Sequence, residues 1–206
     1  MKKQSGYLAT NRGRIFYSSY GQCGRTPILV LHGGPGIAHD YLEGLSKLGT
    51  DRQVIFYDQL GAGKSDRPND ESLWTIERYT KELEEVRHLL GLEQVILYGA
   101  SGGTMLAVDY LLGLPVGVRA ALLSNPCLSA ALWRQDTLRL LRQFPETIRN
   151  AIARHEAAGT TDSTEYQDAI LQFVRKHICR IDPTPEVILR NARLKPASLP
   201  NDVGSK

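Results

Sequence analysis

The run Gln94-Val95-Ile96-Leu97-Tyr98-Gly99-Ala100-Ser101-Gly102-Gly103-Thr104 decides how this chain is read. Gln94 to Tyr98 is a short, mostly apolar stretch with the composition of a buried strand, and Thr104 to Leu112 has the apolar spacing of a helix. Between them stands G-x-S-x-G, the strand–turn–helix pattern of a nucleophile elbow with Ser101 at its apex. So sharp a turn strains the serine backbone and needs small neighbours, which Gly99, Ala100, Gly102 and Gly103 supply. The hydroxyl is lifted clear of the sheet, and the helix N-terminus behind it favours negative charge.

Working back towards the N-terminus, Pro27 to Leu31 is a continuous apolar run typical of a strand buried on both faces. It ends in His32-Gly33-Gly34-Pro35-Gly36, where three glycines let the backbone approach a reacting atom closely. An oxyanion hole needs two backbone N–H groups aimed at one point. The residue after the nucleophile supplies one, here Gly102, and the loop after the earlier strand supplies the other, here Gly34. Each such donor lowers the barrier by roughly 3–4 kcal/mol. His32, Gly33, Pro35 and Gly36 complete this oxyanion loop, with His32 read as structural rather than as a base.

The remaining elements fit one α/β pattern. Two strand-like pieces within 6–20 flank the turn Asn11-Arg12-Gly13 and predict a hairpin. Residues 37–48 read as a helix, 54–57 as a buried strand, 75–90 as an amphipathic helix stopped by Gly91, and 118–124 as the next buried strand. Strands alternating with helices predict a mostly parallel sheet covered on both faces. From Pro126 three helical patterns follow without a strand: 128–143, 145–157 with Pro145 at its start, and 163–179 with Ser163 as N-cap. The expected organisation is a core over 1–125, a helical segment over 126–193 and a loosely ordered tail over 194–206.

Composition excludes several classes of function. The 206 residues carry a net charge of +3, with 42% hydrophobic and 23% charged residues, as in an ordinary globular chain. The basic residues are scattered without an aromatic stripe, so no nucleic-acid partner is expected. Neither a signal peptide nor an apolar run of membrane-spanning length is seen. Cys23, Cys127 and Cys179 are odd in number and far apart, which fits reduced thiols and a cytoplasmic chain. No metal or other cofactor is expected.

At HGGPG (32–36), DQLGAGKSDRP (58–68) and GASGG (99–103), taken in this order, the chain resembles the α/β-hydrolase fold and, within it, the proline iminopeptidase family of serine aminopeptidases. Residues 157–163 resemble that family's helical cap, and the resemblance extends over roughly residues 5–190. It implies a peptide substrate with a free N-terminus, preferably beginning with Pro. One departure is visible: family members usually carry a bulky residue after the serine, where this chain has Gly102.

Gly61-Ala62-Gly63-Lys64-Ser65 could be taken for the end of a P-loop, but that pattern needs Gly where Asp58 stands, and a carboxylate there would repel phosphate. Lys64 is read as a solvated loop residue. The acid and base of a triad are harder to place. In this fold they follow the serine in the order Asp or Glu, then His. After Ser101 only His155 and His177 remain, both in helical segments, while Asp162, Asp168 and Asp182 read as helix or turn carboxylates. The acidic anchors for a substrate amine that the resemblance implies late in the cap are unmatched beyond Asn191. Two expectations follow. The chain is a serine hydrolase, or it is an inactive, C-terminally truncated member of the family serving as an interaction module. Missing strands beyond 118–124 would leave an apolar edge that favours an oligomer or a completing chain.

Overall fold

Two turn residues, Asn11 and Arg12, reverse the chain between β1 (Lys3–Thr10) and β2 (Gly13–Tyr20), which pair antiparallel over their full length. β2 then passes the sheet on to β4 (Val54–Tyr57), again antiparallel. Beyond this pair the sheet is parallel: β3 (Ile28–Leu31) lies between β4 and β5 (Val95–Ala100), and β5 pairs with β6 (Val118–Ser124). The strand order is β1-β2-β4-β3-β5-β6. This computed structural model describes residues 2–22, 24–34, 36–70 and 74–193. They group into two compact units, within Met1–Ser129 and within Ala130–Lys195.

Alternation along the central strands builds a core on each face of the sheet. Leu29, Leu31, Ile55, Tyr57, Val95 and Leu97 meet Leu83 and Val86 of α1 (Ile76–Leu89) and Leu106 and Ala107 of α2 (Gly102–Leu112). On the other face Ile28, Val30, Val54 and Phe56 pack with Tyr20, Leu42, Leu45, Ile96 and Tyr98. α1 starts where Thr75 caps the N–H of Arg78, and Gly91 follows its end with φ of 64°.

The structure departs from the sequence reading in four places. Residues 39–50 form a 3₁₀ helix rather than an α-helix, and Ala38 before them is extended. β6 has the predicted bounds but is not buried: Arg119 to Leu123 are all exposed, and among the described residues β6 pairs with β5 alone, at the sheet edge. α2 begins at Gly102, two residues earlier than its apolar spacing indicated. A further helix, α6 (Glu186–Arg193), follows the Asp182–Pro185 break.

In the second unit α3 (Ala130–Leu141), α4 (Glu146–Ala158) and α5 (Thr164–Phe173) follow one another without a strand, and a π turn over Val174–Ile178 extends α5. Ser163 caps α5 by accepting from the N–H of Tyr166, and Ala151, Ile152, Tyr166 and Ala169 form a small core between α4 and α5. The tail expected over 194–206 lies outside the described residues.

Candidate active site

The register Leu31↔Gly99 sets the end of β3 beside the end of β5, so the loops leaving both strands meet outside the sheet's carboxyl edge. Ser101 sits at that meeting point with φ of 51° and ψ of −121°, a conformation that costs a residue with a side chain about 1–3 kcal/mol. The surroundings hold it there. Its N–H donates to the Ser124 carbonyl (3.0 Å), and its carbonyl accepts from the N–H of Thr104 (2.9 Å) and from the Thr104 hydroxyl. Thr104 is fully buried and also accepts from the N–H of Cys127 at 2.8 Å. The serine side chain itself is exposed.

Close approach of backbones explains the small residues around it. A β-carbon on Gly103 would stand 2.1 Å from the Leu31 carbonyl oxygen, so only glycine lets α2 start against the end of β3. A β-carbon on Gly102 would stand 2.6 Å from the Gly34 carbonyl oxygen and 3.4 Å from its nitrogen. No side chain fits after Ser101 while Gly34 keeps this position, and the chain has glycine there.

The loop after β3 is held from both sides. His32 is buried, and its Nε2 accepts from the N–H of Gln59 (3.0 Å), so Nδ1 carries the proton and donates to the Gly33 carbonyl (2.7 Å). Desolvation pushes the His32 pKa down, which keeps this ring neutral. In a trans peptide the carbonyl and the following N–H point opposite ways. By gripping the Gly33 carbonyl, His32 aims the Gly34 N–H away from itself. The N–H of Gly33 is committed to Tyr41 Oη at 2.8 Å. Gly102, as the first residue of α2, has no acceptor within the helix for its own N–H. The Gly34 and Gly102 backbones thus meet next to an exposed Ser101, which makes their two N–H groups the candidates for binding a tetrahedral oxyanion. Pro35 lies outside the described residues. Gly36 has φ of 84°.

The loop after β4 is built on a buried carboxylate. Asp58 accepts from His39 Nδ1 (2.7 Å) and from the N–H groups of His39 (3.0 Å) and Lys64 (2.9 Å). Burial alone would raise its pKa, but the His39 ring and these N–H groups outweigh burial and bring it down to about 2. A β-carbon on Gly63 would stand 2.1 Å from Asp58 Oδ2. The glycine-rich loop therefore wraps a carboxylate of its own, where a P-loop would wrap phosphate, and Lys64 lies exposed with Nζ over the Phe16 ring. The pairing of Asp58 with His39, nineteen residues earlier, carries no spacing signal in the sequence, and neither does the contact of Tyr41 with Gly33.

Within the first unit none of the described histidines is bonded to Ser101. His32 and His39 are committed as above, and His88 is exposed on α1. In the second unit, His155 contacts Thr160 through Nδ1 (2.7 Å) and Glu165 through Nε2 (3.1 Å), with Ser163 against both nitrogens. His177 packs against the Phe144 and Phe173 rings. Asp162 falls in the turn between α4 and α5, Asp168 lies in α5, Asp182 lies in the break before α6, and Asn191 lies in α6. Cys127 and Cys179 are free thiols, and Cys23 lies outside the described residues. Among the described residues no three His, Cys, Asp or Glu side chains are grouped as a metal site requires, and no helix is long and apolar enough to cross a membrane.

Comparison with known proteins agrees with this fold. The family profile for the alpha/beta hydrolase fold matches residues 26–175. The proline iminopeptidase of Heyndrickxia coagulans is 44% identical over 182 residues, covering 88% of this chain and 63% of that protein. The crystal structure of VinJ superposes with a TM-score of 0.85 at 34% identity, over 91% of this chain and 65% of that one. The proline iminopeptidase structure from Mycobacterium smegmatis gives 0.77 at 32% identity, over 92% and 66%. The chain therefore spans somewhat under two thirds of the length of these relatives.

Proposed function

The chain belongs to the α/β-hydrolase fold family, and on that premise we propose that it is a serine hydrolase acting as an aminopeptidase, releasing an N-terminal residue, preferably Pro, from peptides. The observation that carries this reading is the strained Ser101 backbone (φ 51°) at the strand–helix turn, set against the Gly33–Gly34 loop. In this reading a base supplied by a cap histidine or by another polypeptide takes the Ser101 hydroxyl proton as Oγ attacks the carbonyl carbon, the carbonyl π pair moves onto oxygen, the N–H groups of Gly34 and Gly102 hold the oxyanion, and the proton passes to the leaving amine. His32 acts through the Gly33 carbonyl and takes no proton. The helical segment 126–193 is the family's cap, and the setting is cytoplasmic.

A second reading is favoured by His32, His39 and His88, none of which is bonded to Ser101 within the first unit. In it the chain is a non-catalytic interaction module. A fluorophosphonate probe separates the two readings. Labelling of the wild-type chain that Ser101→Ala abolishes, together with release of Pro from a Pro-arylamide, supports the hydrolase. Absence of labelling supports the module. Loss of a base from a serine triad lowers turnover by on the order of 10⁶.

A further inference from the structure

Tyr41 stands where a side-chain donor to the same oxyanion would stand. Its Oη accepts from the N–H of Gly33 at 2.8 Å. A point one β-carbon out from Gly33 is 3.0 Å from Tyr41 Oη and 3.0 Å from the β-carbon of Ser101, so the phenol and the serine flank the same small volume. A phenol oxygen that accepts one hydrogen bond still has a proton to give. Among the described residues that proton has no acceptor. Burial raises the Tyr41 pKa, so the proton stays in place at neutral pH. The ring is also firmly carried: two residues earlier, the N–H and Nδ1 of His39 are both bonded to Asp58.

We propose that Tyr41 Oη is a third hydrogen-bond donor to the oxyanion formed on Ser101, beside the N–H groups of Gly34 and Gly102. The proposal rests on the reading of Ser101 as nucleophile. As the Ser101 Oγ–carbon bond forms and the carbonyl π pair moves onto oxygen, the phenol proton turns towards that oxygen. Oη meanwhile keeps its bond from Gly33, so the donor needs no rearrangement of the loop. This assigns the 3₁₀ segment 39–50 a part in the site that neither glycine motif supplies.

Phenylboronic acid tests the assignment without requiring turnover. A bond from Ser101 Oγ to boron converts the trigonal acid to a tetrahedral anion, with the serine proton passing to water, and ¹¹B NMR follows the conversion. Ser101→Ala should abolish the tetrahedral signal, and Tyr41→Phe should weaken the adduct about 10- to 100-fold. Site-specific 3-fluorotyrosine at position 41, measured at pH 7, makes the phenol a better donor and a poorer acceptor. A donor role predicts tighter binding of phenylboronic acid by this variant. Unchanged or weaker binding shows that the hydroxyl serves only the Gly33 N–H and overturns the proposal. The fluorinated side chain keeps the fold testable should Tyr41→Phe fail to fold. Should the wild-type chain give no adduct that Ser101→Ala removes, the serine reading itself fails and the proposal with it. A Ser101-dependent adduct indifferent to both Tyr41 variants defeats the proposal alone.

Discussion

Gly33 and Ser101 are packed so closely that a β-carbon on the glycine would lie 3.0 Å from the β-carbon of the serine. The same added atom would meet Tyr41 Oη at 3.0 Å and the Ala100 carbonyl at 3.1 Å. At least one of these neighbours must move to admit it. Gly33→Ala is expected to destabilise the chain by about 1–3 kcal/mol, the usual range for overpacking. It should also slow any fluorophosphonate labelling of Ser101. Urea denaturation beside a labelling time course measures both, and a variant with wild-type stability would show that the loop yields freely.

Ser101 holds its strained backbone at a cost that glycine would not bear. Ser101→Gly is therefore expected to raise stability by about 1 kcal/mol, which for a chain of this size is about 2–4 °C in Tm. Ser101→Ala keeps the β-carbon and should gain none of it. Calorimetry of the two variants side by side separates relief of backbone strain from loss of the hydroxyl. Equal Tm values would show that the turn is unstrained.

The serine turn was legible in the sequence because local composition alone specifies it: a strand, four small residues and a helix leave little freedom at Ser101. HGGPG was legible for the same reason. The His39–Asp58 bond and the Tyr41–Gly33 bond were not, since each joins residues from different elements and depends on how the strands order themselves. The exposure of β6 was equally hidden from local reading, because Ala120-Ala121-Leu122-Leu123 has the composition of a buried strand. Its exposure follows from its place at the sheet edge. The 3₁₀ geometry of 39–50 escaped because apolar spacing does not separate a 3₁₀ helix from an α-helix over so short a run.

Asp58 and Glu82 should move stability in opposite directions with pH. Asp58 titrates at about 2 in the fold against an ordinary 3.8. Its contribution, about 2 kcal/mol, is present above pH 4 and lost as pH falls towards 2. Asp58→Asn removes that acid dependence and, because an amide has one acceptor oxygen where the carboxylate offers two to His39 and Lys64, lowers stability by about 1–3 kcal/mol. Urea titrations at pH 2.5 and pH 5 check both expectations.

Glu82 is buried beneath the 58–66 loop, where the N–H of Leu60 points at both carboxyl oxygens. Burial, only partly offset by that N–H and by Arg12, pushes its pKa up to about 8 from an ordinary 4.5. The fold thus favours the protonated form. Its contribution is full below pH 4.5 and declines as pH rises to 8, by on the order of a few kcal/mol. Glu82→Gln, neutral at every pH, should match the wild type near pH 4.5 and exceed it at pH 8.5. Parallel stability curves for the two proteins would show that Glu82 titrates normally.

The sheet edge leads to a prediction about association. Among the described residues β6 pairs with β5 on one side only, and Leu122 and Leu123 remain 49% and 40% exposed. The strand contains no Pro, and its one charged residue, Arg119, lies near its start, beside Gln94. Unpaired N–H and C=O groups on so apolar an edge invite another strand. Leu112, Leu114 and Val116, exposed by 75%, 86% and 90%, lie just before it in the chain and add apolar surface. The chain is expected to self-associate with rising concentration. Light scattering after size exclusion at several concentrations measures the association. Leu122→Lys, which sets a charge on the edge without touching the β5 pairing, should shift the distribution towards monomer. A wild-type chain that stays monomeric at every concentration would mean that the edge of β6 does not recruit another strand.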